Sequence, residues 1–213
     1  MRCGRWMLAV LMLSACGCRT GGALFNGRDL SGWREVEPQQ AWSVRDGILA
    51  CSGQKDPKAY TWLSTDRKYG DFELTCEWRV SADANAGIFL RVPERSGRAS
   101  MTGLEIQIRD DREDKDLTDV CGAVFRRIPA SGRYARAPGE WNDYKLTMIG
   151  KRLRIELNGR LVSDTNIDAV KPLGKDPPAS AVPNEGYIGL QNHGTPVEFR
   201  NIRIRELSAA DRE

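Results

Sequence analysis

The segment 104–109 carries the side chains with the clearest capacity for chemistry. Its polar members are Glu105, Gln107 and Arg109, which alternate with apolar residues. If the apolar set faces a core, the polar set projects together from the opposite face of a β strand, about 7 Å apart. A carboxylate, an amide and a guanidinium together supply the hydrogen-bond donors and acceptors that a sugar ring needs, and the carboxylate could act as a general base.

The same counting on two further predicted strands adds more candidates. Phe89 and Arg91 lie on the non-core face of the strand 88–92, and Gln191 and His193 lie opposite the apolar residues of the strand 187–191. Asn85 stands at the turn that leads into the first of these strands. An imidazole and an aromatic ring complete the mixture of polar groups and apolar surface that suits a pyranose. The sequence therefore predicts Glu105, Gln107, Arg109 and these five residues as one carbohydrate site.

Each candidate also has a purely structural interpretation. Polar residues that alternate with apolar ones often lie on a solvated outer face. The two arginines could pair with the acidic run 110–116, the imidazole could cap its own loop, and the asparagine could serve its turn.

The residue types exclude several classes of site. The chain has one histidine, His193, so it has neither an HExxH zinc motif nor a two-histidine metal centre. The acidic run 110–116 lacks the ligand spacing and the glycine of an EF-hand loop. We therefore expect no resident cofactor and no metal site, although a divalent metal acting as a Lewis acid stays an open alternative.

Alternation with period two dominates the chain after residue 23 and predicts the elements that position these side chains. The predicted strands cover 71–80, 88–92, 104–109, 145–149, 151–157, 160–163, 187–191 and 197–207. Asn158-Gly159 indicates a type I′ hairpin. The segments 187–191 and 197–207 are predicted as a second hairpin, with a bulge near Arg200-Asn201 where the apolar phase shifts by one residue. Many short strands with Gly and Pro turns predict one all-β domain, a two-sheet antiparallel sandwich or jelly roll.

The charge balance argues against a nucleic-acid partner. Lysine and arginine total 32 against 29 aspartate and glutamate residues, and the two signs are interleaved. A nucleic-acid binder needs a gathered basic surface.

The first residues are typical of an export signal. A basic start (1–5) and a short apolar stretch (6–13) lead into Leu13-Ser14-Ala15-Cys16, which resembles the bacterial lipobox. We expect a signal peptide at 1–15, a tether at 16–22 lipidated at Cys16, a jelly-roll domain at 23–208 and a tail at 209–213. The protein would then be exported to the cell envelope and would touch the membrane only through its lipid. Plain secretion and an uncleaved anchor are the alternatives.

Export also affects how the cysteines are interpreted. A disulfide between Cys51 and Cys76 is possible in an oxidising compartment, since both lie in predicted strands. Otherwise the cysteines are small buried apolar residues.

Nine segments between residues 24 and 204 resemble the 3-keto-disaccharide hydrolase family, in the family's order. They are LFNGRDLSGW (24–33), WSVRDGIL (42–49), YGDFEL (69–74), NAGIFLR (85–91), GLEIQI (103–108), GEWN (139–142), LNG (157–159), GYIGLQNHG (186–194) and VEFRNIRI (197–204). The chain departs from the family at Leu104, where a tyrosine is frequent, and at Asn192, where an aspartate is common. The resemblance implies a concanavalin-like jelly roll with the sugar site on the concave face of one sheet.

The family resemblance also implies an activity on 3-keto-glycosides, with an oligosaccharide or glycoside as the ligand. A carbonyl at C3 acidifies the C2 proton, so a single base can drive elimination of the glycosidic oxygen from C1, after which water adds. Glu105 or His193 is the candidate base, and Arg91, Arg109 or Gln107 would stabilise the enolate oxygen. Two alternatives are a noncatalytic carbohydrate-binding lipoprotein and a structural envelope protein.

Overall fold

The computed structural model describes residues 21–37, 40–53, 61–113, 116–171 and 176–212. The predicted signal peptide, Cys16 and most of the tether lie outside the described residues. Within these ranges, no helix combines the length and the apolar character needed to span a lipid bilayer.

Two antiparallel sheets form the fold, which confirms the prediction of an all-β sandwich. The larger sheet has eight strands in the order β11-β10-β9-β6-β13-β4-β3, with β1 added beside β13, and the smaller has five in the order β2-β5-β12-β7-β8. The strands are β1 (Gly22–Ala23), β2 (Trp33–Val36), β3 (Trp42–Arg45), β4 (Ile48–Cys51), β5 (Trp62–Thr65), β6 (Phe72–Val80), β7 (Asn85–Val92), β8 (Leu104–Arg109), β9 (Asn142–Ile149), β10 (Arg152–Leu157), β11 (Arg160–Asn166), β12 (Tyr187–Gln191) and β13 (Val197–Glu206). One helical turn, α1 (Ala99–Thr102), precedes β8.

The core lies between the two sheets and follows the alternation of the sequence. In β6, every second residue from Phe72 to Val80 is buried and the residues between them are partly exposed. In β8 the pattern is different, because the polar residues Glu105 and Gln107 are buried as well. The outer face of the smaller sheet is therefore shielded from bulk solvent around Glu105 and Gln107, and it is not the freely solvated face that alternation alone would suggest.

Backbone contacts from a long connection cover the edge of the smaller sheet at β8. Phe125 N donates to Glu105 O at 2.9 Å, and Gln107 N donates to Ala123 O at 2.9 Å. Tyr144 crosses the core from β9 and donates its hydroxyl to Gln107 O at 2.7 Å. The connection holds the free edge of β8 and Tyr144 holds the strand from the core side, so the side chains of Glu105 and Gln107 project from a rigid backbone.

The hairpin at Asn158-Gly159 is confirmed, and the second predicted hairpin is wrong. Asn158 and Gly159 have φ values of 51° and 72°, as a type I′ turn requires, and β10 pairs with β11. In contrast, β12 belongs to the smaller sheet and β13 to the larger one, so residues 192–196 carry the chain from one sheet to the other. The predicted bulge in β13 is present, because the register with β6 shifts between Arg200 and Arg203.

The cysteines in the described part of the chain form no disulfide. Cys51, Cys76 and Cys121 are all buried free thiols. Strand β13 lies between β4 and β6, and Cys51 is level with Val80 of β6, so Cys51 and Cys76 are separated by two strand spacings, roughly 10 Å, and also by four residues along β6. A disulfide needs Cα atoms within about 7 Å, so this pairing is wrong and the thiols pack as small apolar groups.

Candidate active site

A pocket of about 460 Å³ opens on the outer face of the smaller sheet, away from the core. It contains five of the eight predicted site residues on the sheet itself, together with His193 on the loop that follows β12. The described residues that line it are Thr61, Trp62, Asn85, Phe89, Arg98, Ala99, Ser100, Glu105, Gln107, Phe125, Gln191, Asn192, His193 and Gly194.

The carboxylate of Glu105 lies across the neighbouring strand over a glycine. Glu105 pairs with Phe89, and Gly87 pairs with Gln107. A Cβ atom at Gly87 would lie only 3.0 Å from both Cγ and Oε1 of Glu105. The missing side chain at Gly87 therefore leaves room for the carboxylate, which accepts a hydrogen bond from the side chain of Gln191.

Burial sets the protonation of Glu105. The residue is only 4% exposed. Loss of solvation raises the pKa of its carboxyl from 4.5 to about 7, with Asp119 adding to the rise, while Gln191 and the charges of Arg98 and Arg127 lower it. Near neutral pH the protonated and ionised forms are therefore both populated, which allows the group to accept and to donate a proton.

Two aromatic rings form the floor of the pocket. Trp62 and Phe89 meet edge to face, with ring centroids 5.7 Å apart and an interplanar angle of 89°. The indole of Trp62 lies against Gly189, where a Cβ atom would come within 2.2 Å of its Cε3. This floor offers the apolar surface on which a sugar ring can rest.

Two buried amide oxygens beside Glu105 lack a partner. Gln107 donates its Nε2 to Asn85 Oδ1 at 3.0 Å. The Oε1 atoms of Gln107 and Gln191 accept no hydrogen bond from any described residue, although both residues are at least nine-tenths buried. Buried acceptors of this kind are normally satisfied, so they are suited to the hydroxyl groups of a ligand.

The loop 192–196 brings His193 to the pocket. Asn192 donates its Nδ2 to Thr61 Oγ1 at 2.8 Å, and the hydroxyl of Thr195 accepts from Asn85 N at 2.9 Å and donates to Asn85 O at 3.0 Å. His193 itself is exposed at the rim. Glu105 and His193 therefore line the same pocket, one at its buried side and one at its opening.

Arg91 does not share this face, contrary to the expectation from alternation. The register between β7 and β12 shifts, because Phe89 pairs with Gly189 while Val92 pairs with Tyr187. Arg91 occupies this bulge with a φ of 54° and is fully buried toward the larger sheet.

The contacts of Arg91 are structural. Its guanidinium donates to Gly70 O at 2.9 Å and Gly150 O at 2.8 Å, and it pairs with Asp71 Oδ1 at 3.0 Å. The extra residue of the bulge turned this side chain through the sheet, so Arg91 anchors the sandwich and does not reach the pocket.

Arg109 also lies outside the pocket. It stands at the last position of β8 and forms an ion pair with Asp119. The alternative that this arginine pairs with an acidic neighbour is the one that the structure favours, although the partner lies just beyond the acidic run 110–116.

Several lining residues were not anticipated from the sequence. Arg98, Ala99 and Ser100 come from the start of α1, and Phe125 comes from the connection that covers β8. A helix of one turn is too short to show a periodic pattern in the sequence, and no motif marks the connection between β8 and β9. The sequence therefore held no signal for these lining residues. Among the described residues, no group of three or more His, Cys, Asp or Glu side chains is placed to hold a metal ion.

Comparisons with known proteins agree with this architecture. Residues 21–205 match the family described as the 3-keto-alpha-glucoside-1,2-lyase-like domain. A Bacteroides thetaiotaomicron protein named 3-keto-disaccharide hydrolase is 26% identical over an alignment of 224 positions, which covers 86% of this chain and 77% of that protein.

Solved structures give the same result. A Parabacteroides distasonis protein provisionally named a glycosyl hydrolase is 26% identical, with a TM-score of 0.75 over 86% of this chain and 98% of that chain. A Bacillus subtilis protein of unknown function with a galectin-like fold is 15% identical, with a TM-score of 0.59 over 87% of this chain and 97% of that chain, which shows the shared fold. Because the family match extends over most of its length, the chain belongs to the 3-keto-alpha-glucoside-1,2-lyase-like domain family.

Proposed function

We propose that this protein cleaves the glycosidic bond of 3-keto-glycosides in the pocket around Glu105. The observation that carries the proposal is a buried carboxyl whose pKa lies near 7, placed beside an aromatic floor and unpartnered amide oxygens. The name of the Bacteroides thetaiotaomicron relative, 3-keto-disaccharide hydrolase, supports the substrate class.

The acid–base inventory of the pocket favours elimination over ordinary glycoside hydrolysis. Most glycosidases use two carboxyl groups that flank the anomeric carbon. Glu105 is the only carboxyl group among the described lining residues. A 3-keto sugar needs only one general base, because its carbonyl already acidifies the proton at C2.

In the proposed reaction Glu105 takes the C2 proton. The C–H electron pair becomes the C2=C3 bond, and the carbonyl π pair moves onto the C3 oxygen to give an enolate. The enolate then re-forms the carbonyl, its electrons become a C1=C2 bond, and the C1–O bond breaks with its electron pair on the leaving oxygen.

Protonation and hydration complete the cleavage. The leaving oxygen takes a proton from protonated Glu105 or from His193, which stands at the opening where a leaving group would depart. Water then adds across the C1=C2 bond, its oxygen to C1 and a proton to C2. The sum is hydrolysis of the glycoside.

Glu105→Gln tests the proposal with a matched pair of substrates. Purified protein is incubated with a 3-keto-glucoside and with the corresponding ordinary glucoside, and products are followed by mass spectrometry. We expect cleavage of the keto substrate only, and a loss of about 10²–10⁴-fold in kcat/KM for Glu105→Gln, as removal of a general base produces. Glu113→Gln, at an exposed loop position, is the control and should retain full activity.

The possible outcomes separate the alternatives. Activity that survives in both Glu105→Gln and His193→Ala would reject this base assignment. Binding of the keto-glucoside to wild-type protein without turnover would instead identify a noncatalytic carbohydrate-binding protein. Because the base must be ionised, kcat/KM of the wild type should rise with pH through about 7.

We also propose that the protein is exported and acylated at Cys16, which would hold the domain at the cell envelope. The lipobox-like sequence 13–16 after a short apolar stretch supports this location. Metabolic labelling with a fatty acid should mark the wild type and leave Cys16→Ser unlabelled. Equal labelling of both would refute the assignment.

A further inference from the structure

Two glutamines on the outer face of the smaller sheet flank a position that has no side chain. Strand β7 lies between β12 and β8. On one side, Gly87 of β7 pairs with Gln107 of β8. On the other side, Leu190 of β12 pairs with Ile88, so the antiparallel register places the next residue, Gln191, beside Gly87. The gap over Gly87 is therefore bounded by a glutamine on each side.

The carboxyl group of Glu105 occupies this gap. A Cβ atom at Gly87 would lie only 3.0 Å from Cγ and from Oε1 of Glu105, so a side chain there would push the carboxyl group away. The hydrogen bond between Gln191 and Glu105 joins side chains from β12 and β8, the two strands on either side of β7. The missing side chain at Gly87 is what allows them to meet.

The amide of Gln191 meets the carboxylate with its N–H. The Oε1 atom of Gln191 accepts no hydrogen bond from the described part of the chain, so Nε2 makes the contact with Glu105. Burial raises the pKa of this carboxyl most, and Gln191 is the largest of the contributions that lower it. An N–H donor has this effect because it stabilises the ionised carboxylate.

The position of Gln191 in the sheet makes it a rigid donor. Strand β12 is the central strand of the five, and Gln191 pairs with Trp62 of β5. The side chain of Gln191 is buried, so water does not readily replace its amide. Gln107, on the other side of the gap, directs its Nε2 at Asn85 Oδ1. Of the two glutamines, Gln191 is therefore the one whose amide N–H is directed at the base.

We propose that Gln191 is a positioning residue for the base: its side-chain amide holds the carboxylate of Glu105 over Gly87 and keeps it in the ionised form that removes the C2 proton. The inference rests on the proposed cleavage of 3-keto-glycosides. A carboxylate has two oxygens, so one can accept from Nε2 of Gln191 while the other takes the proton of the substrate. Without this donor, the buried carboxyl group would be less firmly oriented and would keep its proton to higher pH.

Gln191→Met tests the role in the full-length protein with the 3-keto-glucoside as substrate, because methionine has a similar length and lacks the amide. We expect kcat/KM at pH 7 to fall about 10–100-fold, the size of one hydrogen bond to a charged group. The rise of kcat/KM with pH should also move to higher pH, so part of the loss should be recovered at about pH 9. Gln40→Met, at an exposed glutamine outside the pocket, is the matched control and should behave as wild type.

A double-mutant cycle separates positioning from a structural role or from direct contact with the substrate. In the Glu105→Gln background, Gln191→Met should cause little further loss of kcat, because the carboxylate that Gln191 positions is gone. A structural role or a substrate contact alone would lower activity equally in both backgrounds and would leave the pH profile unshifted. That result would overturn the positioning role.

An infrared titration gives a readout that needs no substrate. The carboxyl stretch of Glu105 is obtained as the difference between each protein and the same protein carrying Glu105→Gln. The pKa of Glu105 should be higher in Gln191→Met than in wild type, because the donor to the ionised form is lost. An unchanged pKa would overturn the role of Gln191 and leave the proposed function standing. Failure of the wild type to cleave the substrate would overturn the proposed function, and the catalytic role of Gln191 with it.

Discussion

Glu105→Gln is expected to stabilise the folded protein at alkaline pH and to leave its stability unchanged in acid. The carboxyl is 4% exposed, and burial raises its pKa from 4.5 to about 7. The folded protein therefore binds this proton more tightly than the unfolded chain does. The contribution of the protonated carboxyl is complete below about pH 4.5 and is lost as pH rises through about 7.

The size of the effect follows from the raised pKa. Each pH unit between the two pKa values corresponds to about 1.4 kcal/mol, so ionisation of Glu105 costs the folded state about 3 kcal/mol by pH 8.5. Glutamine has nearly the same shape, can still accept the hydrogen bond from Gln191, and never ionises. For a domain of this size, about 3 kcal/mol corresponds to a rise of roughly 6–12 °C in Tm.

Urea and thermal unfolding at pH 4.5, 7 and 8.5 measure this directly. Wild type and Glu105→Gln should coincide at the lowest pH and should separate progressively as pH increases. Glu113→Gln, at an exposed position, should track wild type throughout. A stability difference that is equal at all three pH values, or a wild type that is the more stable at pH 8.5, would refute the reasoning.

Two further substitutions test the framework around the pocket. Arg91→Met should lower the free energy of unfolding in urea by about 3–5 kcal/mol, because it leaves the carboxylate of Asp71 buried without the guanidinium of Arg91. The kcat per folded molecule should be unchanged. A loss below about 1 kcal/mol, or a lower kcat, would contradict the anchoring role. Gly189→Ala should cost about 1–3 kcal/mol and raise KM, because the new Cβ would lie 2.2 Å from Cε3 of Trp62 and would displace the floor. Gly22→Ala, where a new Cβ meets no atom within 4 Å, is the control, and equal behaviour of the two alanine variants would show that the floor adjusts freely.

Alternation placed Glu105, Gln107 and Phe89 correctly on one face of the smaller sheet. The reason is local, because successive side chains of a strand point to opposite faces whichever strand lies next to it. The bulge in β13 could also be predicted from the sequence, because the alternation of apolar residues in that strand shifts by one position.

Arg91 shows where this local reasoning ends. Its strand carries a regular pattern through residue 92, and the bulge is visible only in the pairing of β7 with β12. The same limit applies to β12 and β13, whose sequences resemble a hairpin while the strands belong to different sheets. Pairing between distant strands decides both features, and no local pattern records it.

The sequence by itself determined the all-β class, the faces of the central strands and the presence of a carboxylate, an amide pair and an imidazole as candidate groups. Only the tertiary structure decided which cation accompanies them. Arg98 lines the pocket because the turn that follows it, α1, packs its first residue into the apolar cluster of the sheet, whereas Arg91 and Arg109 lie outside the pocket. The tertiary structure also decided the protonation of Glu105, because the raised pKa comes from burial by segments remote in sequence.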